Sequence, residues 1–151
     1  MIPKFNIVLY KPEIPLNTGN IGRLSLGINA KLFIVKPAKF LFTDKQLKRS
    51  GLDYWKDVDY RLINNLEELN TKNSSIYYCT TKTKKSYLSC SFKENDYFVF
   101  GPESSGIPQK ILTDNWFNCI TIPMSKKIRS INLANSVAIV LYEAIRQNIT
   151  K

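Results

Sequence analysis

Short runs of apolar residues, separated by polar loops, recur along the chain and predict five strands. The first, Phe5–Tyr10, is mostly apolar, as is typical of a strand buried on both faces. The other four follow at intervals that leave room for helices: Lys31–Val35, Ile76–Thr80, Asp96–Phe100 and Cys119–Ile122. Strands that alternate with helices indicate a single α/β domain with a parallel sheet and right-handed crossovers.

The segments between the strands predict several helices. A helix of about ten residues follows the first strand, can be capped by Asn17 or Thr18, and ends near Asn29. Three shorter helical pieces are expected at Asp44–Ser50, Asn65–Asn70 and Pro108–Thr113.

The last helix gives the strongest helical pattern in the chain. It begins near Leu133, after the possible cap residues Ser130 and Asn132. A wide apolar face repeats at helical spacing and consists of Leu133, Val137, Val140, Leu141, Ala144 and Ile145. A second apolar face beside it consists of Ala134, Ala138 and Tyr142. Because a helix with two apolar faces is usually buried twice, we expect this one to pack on its own sheet and to form a dimer contact.

The composition excludes several classes of chemistry. The 151 residues include no histidine and three widely separated cysteines, so histidine acid–base catalysis is excluded and neither a zinc site nor a disulfide framework is expected. The chain begins directly with a strand and has no signal-peptide pattern. No apolar run approaches the roughly 20 residues of a membrane span. We therefore expect a cytoplasmic protein with no metal and no membrane partner.

The formal net charge of +10 favours RNA or DNA as a partner over a membrane surface. Open parallel sheets bind ligands beyond the carboxyl ends of their strands. Basic residues follow four of the predicted strands at this edge, namely Arg23, Lys36, Lys39, Lys82–Lys85, Lys126, Lys127 and Arg129. A generally lysine-rich composition is the alternative explanation of the charge, but this placement favours a nucleic-acid surface.

Three loops at the same edge carry candidate binding chemistry. Asn17–Arg23 places two glycines at a helix N-terminus, where backbone N–H groups favour anions. Phe100–Pro108 combines two glycines, two prolines and the carboxylate of Glu103 in a sharp turn. Met124–Asn132 is polar and basic and leads into the last helix. Taken alone, each loop is explained at least as well by an ordinary connection or a capped helix start.

Taken together and in this order, the three loops resemble the three motifs of the SPOUT-superfamily RNA 2′-O-methyltransferases. The segments are NTGNIGR at 17–23, FGPESSGIP at 100–108 and IPMSKKIRSINLANSVAIVLYEA at 122–144. The similarity is closest to the small single-domain members that methylate the wobble ribose of tRNA, and it extends from about Phe5 to Gln147. The segments NIVLYKPEIPLNTGN at 6–20 and RSGLDYW at 49–55 fit the same subgroup.

This resemblance implies a homodimer that uses S-adenosylmethionine, releases S-adenosylhomocysteine and needs no metal. It also implies an α/β knot, in which the C-terminal segment forms a trefoil knot. The implied cofactor-binding residues are Cys79, Gly101, Glu103, Ile122, Met124, Ser130 and Leu133, with Asn135 in the same pocket or its support. The implied catalytic residues are Arg23, Asn17, Glu103, Ser130 and Asn132, and the arginine comes from the partner subunit. The chain departs from the family at Ser104-Ser105, where Thr-Arg is commoner, and at Cys79, where an aliphatic residue is usual.

The implied function is 2′-O-methylation of the wobble nucleotide, a cytidine or modified uridine, in the tRNA anticodon loop. A single-stranded loop presents its riboses openly, which suits a small enzyme without an added RNA-binding domain. Two alternatives stay open: a catalytically idle RNA-binding dimer, and a 2′-O-methyltransferase of another RNA such as rRNA. Binding of S-adenosylmethionine separates the idle dimer from an enzyme.

Overall fold

The computed structural model describes residues 1–38 and 53–149. Within these residues the strands are β1 Asn6–Tyr10, β2 Lys31–Val35, β3 Tyr60–Ile63, β4 Ile76–Cys79, β5 Tyr97–Phe100 and β6 Cys119–Ile120. They form one parallel sheet in the order β3-β2-β1-β5-β4-β6. The α-helices are α1 Pro15–Gly27, α2 Gln109–Asp114 and α3 Leu133–Asn148. This architecture confirms the parallel-sheet α/β class.

The central strand β1 is buried on both faces of the sheet. Ile7 and Leu9 point to one face and Val8 to the other, and none of the three is exposed to solvent. On the first face the core is completed by α1, α3 and a 3₁₀ turn at Asp53–Asp57. On the second face it is completed by residues such as Leu112 of α2. Two covered faces explain why the middle of β1, Ile7–Leu9, is continuously apolar.

A tryptophan fastens the 3₁₀ turn to α1. Trp55 is 3% exposed and belongs to the core on the α1 face. Its indole lies so close to Gly22 that a Cβ atom at that position would overlap the ring. Glycine at position 22 is therefore required for the close approach of the tryptophan to the helix.

The structure confirms the predicted start and buried face of α3. Asn132 caps the helix, since its Oδ1 accepts a hydrogen bond from the Asn135 N–H at 3.2 Å. The fully buried stripe consists of Val137, Val140, Leu141, Ala144 and Ile145. On the second apolar face Tyr142 is 56% exposed, so this chain alone does not cover it.

The last turn of α3 is fastened to the segment between β4 and β5. Gln147 Nε2 donates to the carbonyl of Cys90 at 3.0 Å, and Gln147 Oε1 accepts from the N–H of Phe92 at 2.8 Å. Gln147 also donates to Glu143, whose carboxylate pairs with Arg146 at 2.7 Å. The hydrogen bonds from Arg146 and Gln147 lower the pKa of Glu143 to about 2.

Some predicted elements differ from those observed. The strand β3 was missed because three of its four residues are exposed at the edge of the sheet, where no apolar run marks a strand. The expected piece at Asn65–Asn70 is a 3₁₀ turn, Leu66–Glu68, and β6 ends at Ile120 rather than Ile122. The helix expected at Asp44–Ser50 lies outside the described residues. No helix in the described ranges is both long and apolar enough to cross a bilayer.

The contact between Gly22 and Trp55 predicts that two alanine substitutions in the same helix differ in their effect on stability. Gly22→Ala should lower the free energy of unfolding by about 1–3 kcal/mol, because the added methyl group displaces the indole from the core. Gly27→Ala is the matched control at the end of the same helix, where a Cβ meets no atom within 4 Å, and it should stay within about 1 kcal/mol of the parent. Urea denaturation measures both, and equal stabilities would contradict the proposed overlap.

Candidate functional site

A cavity of about 450 Å³ lies beyond the carboxyl ends of β4, β5 and β6. Its wall comes from the loops that follow these three strands, within residues 79–87, 100–107 and 120–133, and from Ile14 and Asn17 at the start of α1. Lys82 and Arg129, two of the predicted basic residues, also line it. The position agrees with the ligand edge predicted from the sheet, and the volume suits a small-molecule ligand.

The carboxylate of Glu103 joins the loop after β5 to the start of α1. Its Oε2 accepts the N–H of Glu13 at 2.8 Å, and its Oε1 accepts the N–H of Ile14 at 3.0 Å and Asn17 Nδ2 at 3.2 Å. The N-cap position of α1 is Ile14, whose side chain cannot accept a hydrogen bond. Glu103 therefore supplies the negative charge that favours a helix N-terminus. The expectation that Asn17 or Thr18 caps α1 was wrong.

The side chain of Asn17 extends this connection to the last helix. Its Oδ1 accepts a hydrogen bond from Asn132 Nδ2 at 3.0 Å, and Asn132 in turn caps α3. Three of the implied catalytic residues are thus bonded in series: Glu103, Asn17 and Asn132. The series holds the N-termini of α1 and α3 against the loop after β5.

Two glycines and a serine shape that loop. A Cβ at Gly101 would overlap the backbone of Gly106 and Ile107, so glycine allows the loop to close on itself. Gly106 has a φ of +69°, in the left-handed region. Ser104 Oγ donates to the carboxylate of Glu13 at 2.7 Å, which fastens the loop to the segment before α1. One of the two serines that replace the commoner Thr-Arg pair thus has a structural contact.

The residues implied to bind the cofactor are brought together in the cavity wall. They are Cys79, Gly101, Glu103, Ile122, Met124, Ser130 and Leu133. Burial raises the pKa of the Cys79 thiol, and nearby Cys119 and Cys90 raise it further, so the thiol is neutral. The side chain of Ser130 is exposed at the wall, and Asn135 is not part of it.

Arg23 stands apart from this cluster. It lies on the exposed side of α1 and does not line the cavity of its own chain. Its guanidinium carbon is 5.9 Å from the centre of the Tyr54 ring. Within residues 1–38 and 53–149 its guanidinium makes neither an ion pair nor a hydrogen bond.

Sequence reasoning did not assign Glu13 or Tyr54 to this region. Glu13 contributes a backbone N–H and a side-chain acceptor, and Tyr87 lines the cavity. Tyr54 lies far from Arg23 in the sequence and reaches it only because the 3₁₀ turn packs on α1. The roles of Glu13 and Tyr54 depend on long-range contacts, which a local sequence pattern does not show.

The three donors that converge on Glu103 predict that a nearly isosteric substitution of this residue lowers the stability of the fold. Glu103→Gln replaces one acceptor oxygen by an NH₂ group that faces a donor, which should lower the free energy of unfolding by about 1–3 kcal/mol. The matched control is Glu68→Gln, because the exposed Glu68 accepts one backbone N–H, from Asn64, and a glutamine oxygen can replace it. The control should leave the free energy of unfolding essentially unchanged. Thermal or urea unfolding measures the difference. An unchanged stability of Glu103→Gln would refute the bonding pattern.

Comparison with known proteins assigns this arrangement to a family. A sequence model described as the SpoU rRNA Methylase family matches residues 4–142. A tRNA (cytidine(34)-2′-O)-methyltransferase of Escherichia coli K12 is 43% identical over 149 residues, which cover 94% of this chain and 92% of that protein. A structure described as giving insights into the 2-OH methylation of C/U34 on tRNA is 38% identical, with a TM-score of 0.89 and 99% of each chain covered.

A more distant structure shares the fold. The SpoU methyltransferase AviRb of Streptomyces viridochromogenes, in complex with the cofactor AdoMet, has a TM-score of 0.83 at 19% identity, over 99% of this chain and 60% of that one. The sequence match extends through β1 to most of α3 and includes all the loops of the cavity. The resemblance in the three loops is thereby confirmed, and this chain belongs to the SpoU methylase family.

Proposed function

We propose that this protein methylates the ribose 2′-oxygen of nucleotide 34, the wobble position, in the anticodon loop of tRNA. The name of the E. coli relative and the description of the similar structure support this proposal, because both match nearly the whole chain. The structural observation that carries it is the cavity in which the three family loops are joined by Glu103, Asn17 and Asn132. We place the reaction in the cytoplasm, where tRNA is available.

The cavity wall is suited to S-adenosylmethionine. Apolar side chains such as Ile122 and Leu133 can enclose an adenine ring, and Ser130 and the backbone of the loop at Gly101 offer polar contacts. The thiol of Cys79 is neutral, so it places no charge beside the sulfonium. When bound, the cofactor supplies an activated methyl group. The chain has to hold it, align the ribose and stabilise the charge that develops on the 2′-oxygen, and none of these tasks requires a metal.

Arg23 is the residue to which we assign the stabilisation of that oxygen. A guanidinium stays protonated in nearly any protein environment, so it is a poor base but a strong hydrogen-bond donor to an oxyanion. A phosphate of the RNA is available as proton acceptor. Asn17, Glu103 and Asn132 then act as positioning residues, because their polar groups are engaged with each other and with helix N-termini.

We propose a homodimer, because Arg23 does not reach the cavity of its own chain. The helices α1 and α3 pack together on one face of the sheet and each leaves a large apolar side chain outside, Leu16 at 65% and Tyr142 at 56% exposure. A symmetric contact through these helices would cover both side chains and bring Arg23 of one protomer to the cavity of its partner.

We also propose that the C-terminal segment forms a trefoil knot. The segment 80–96 touches the outer side of β6, where Lys85 and Tyr87 bond to Thr121 at 2.8 and 2.9 Å. The same segment touches the end of α3 through Phe92 and Gln147. Residues 121–132 run between these contacts, from the sheet edge to Asn17. Threading of residues 121–132 through the loop formed by 80–96 accounts for contacts on both sides.

Mass spectrometry of tRNA nucleosides tests the proposed function. Cells that lack the gene should lose the 2′-O-methyl group at position 34, and the purified protein with S-adenosylmethionine should restore it. Ribosomal RNA fragments serve as the competing substrate. Methylation of rRNA alone would refute the tRNA assignment, and failure to bind S-adenosylmethionine by calorimetry would favour the idle RNA-binding dimer.

The role assigned to Arg23 predicts that a positive charge alone at this position is insufficient for full turnover. Arg23→Lys keeps the positive charge but loses the planar donor pair, so turnover should fall roughly 100- to 1,000-fold. The affinity for S-adenosylmethionine should stay unchanged, because Arg23 is assigned to the ribose 2′-oxygen and not to the cofactor. Methyl transfer from labelled cofactor and calorimetry measure the two quantities. Near-normal turnover in Arg23→Lys would exclude this role.

A further inference from the structure

The exposed cation Arg23 faces an aromatic ring that is itself fixed in place. The Tyr54 hydroxyl donates to the carbonyl of Gly19 at 2.9 Å, one turn before Arg23 on the same helix. The guanidinium carbon lies 5.9 Å from the centre of the Tyr54 ring, within the range of a cation–π contact. The tyrosine ring is therefore held to the backbone of α1 through its hydroxyl and contacts Arg23 of the same helix through its face.

The neighbouring residue anchors this ring to the core. Trp55 is buried against Gly22, so the turn that carries Tyr54 is held on α1 independently of the tyrosine hydroxyl. Burial raises the pKa of Tyr54, and the smaller opposing effect comes from Arg23. The hydroxyl therefore stays protonated at neutral pH and remains a hydrogen-bond donor to Gly19.

We propose that Tyr54 is a positioning residue for Arg23, an inference that rests on the proposed function. A surface arginine samples many rotamers, and that freedom is lost when it stabilises an oxyanion. The tyrosine ring limits the freedom in advance, because the guanidinium is attracted to the face of the ring. Within residues 1–38 and 53–149 no carboxylate pairs with Arg23, so no contact there competes with the ribose for its N–H donors. The effect of Tyr54 on methyl transfer should therefore pass through Arg23.

The first test needs no enzyme activity. In the NMR spectrum of the full chain, the side-chain protons of Arg23 should show an upfield ring-current shift that disappears in Tyr54→Leu. Tyr54→Phe keeps the ring and should keep the shift. Tyr60→Leu is the matched control, because Tyr60 packs against Trp55 of the same turn, and it should leave the Arg23 signals unchanged. Arg23 signals without a ring-current shift in the parent would overturn the inference.

The second test is a double-mutant cycle on methyl transfer to tRNA. Tyr54→Leu should lower kcat by roughly two- to fivefold, the range of an exposed cation–π contact, with the affinity for S-adenosylmethionine unchanged. In the Arg23→Ala background, Tyr54→Leu should cause no further loss. Multiplicative losses would show that Tyr54 acts on the fold rather than through Arg23, and would overturn the inference. An Arg23→Ala variant with normal kcat would also overturn it, while methylation by the parent would still support the proposed function.

Discussion

The cavity depends on one carboxylate, that of Glu103, which binds three donors from the opposite side of the site. A loop and two helix starts converge there from distant parts of the chain: Asn17 and Glu103 are 86 residues apart, and Asn17 and Asn132 are 115 apart. Each hydrogen bond in the series satisfies a group that would be costly to leave unpaired at a partly buried position. The shape of the cavity is therefore set by polar contacts as much as by the apolar core beneath it.

This arrangement suits a reaction in which the protein contributes alignment and charge stabilisation. Three polar residues of the family loops, Glu103, Asn17 and Asn132, bond to one another and hold the loops of the cavity wall together. Arg23, outside that wall, keeps its donors available within the described part of the chain. A chain without histidine can perform such a reaction, because an activated methyl donor needs a well-placed acceptor more than a strong base.

Local patterns predicted the parts of the fold that are determined locally. The mostly apolar run of β1 and the helical spacing in α3 each correspond to an observed element, and Asn132 caps α3 as its position suggests. The start of α1 was misplaced because its cap comes from Glu103, on another loop. The edge strand β3 has too little buried surface to leave an apolar pattern. Tyr54 was missed for the same reason as the Glu103 cap: its partner is near only in space.

The order of strands in the sheet has a consequence for synthesis on the ribosome. The strand β1 is central in the sheet, and one of its two neighbours, β5, emerges from the ribosome only after β2, β3 and β4. Until then one edge of β1 offers unpaired N–H and C=O groups next to strongly apolar side chains, a combination that favours aggregation. The nascent chain should therefore depend on chaperones more than a protein whose early strands pair with each other, and its folding should be slow for its size.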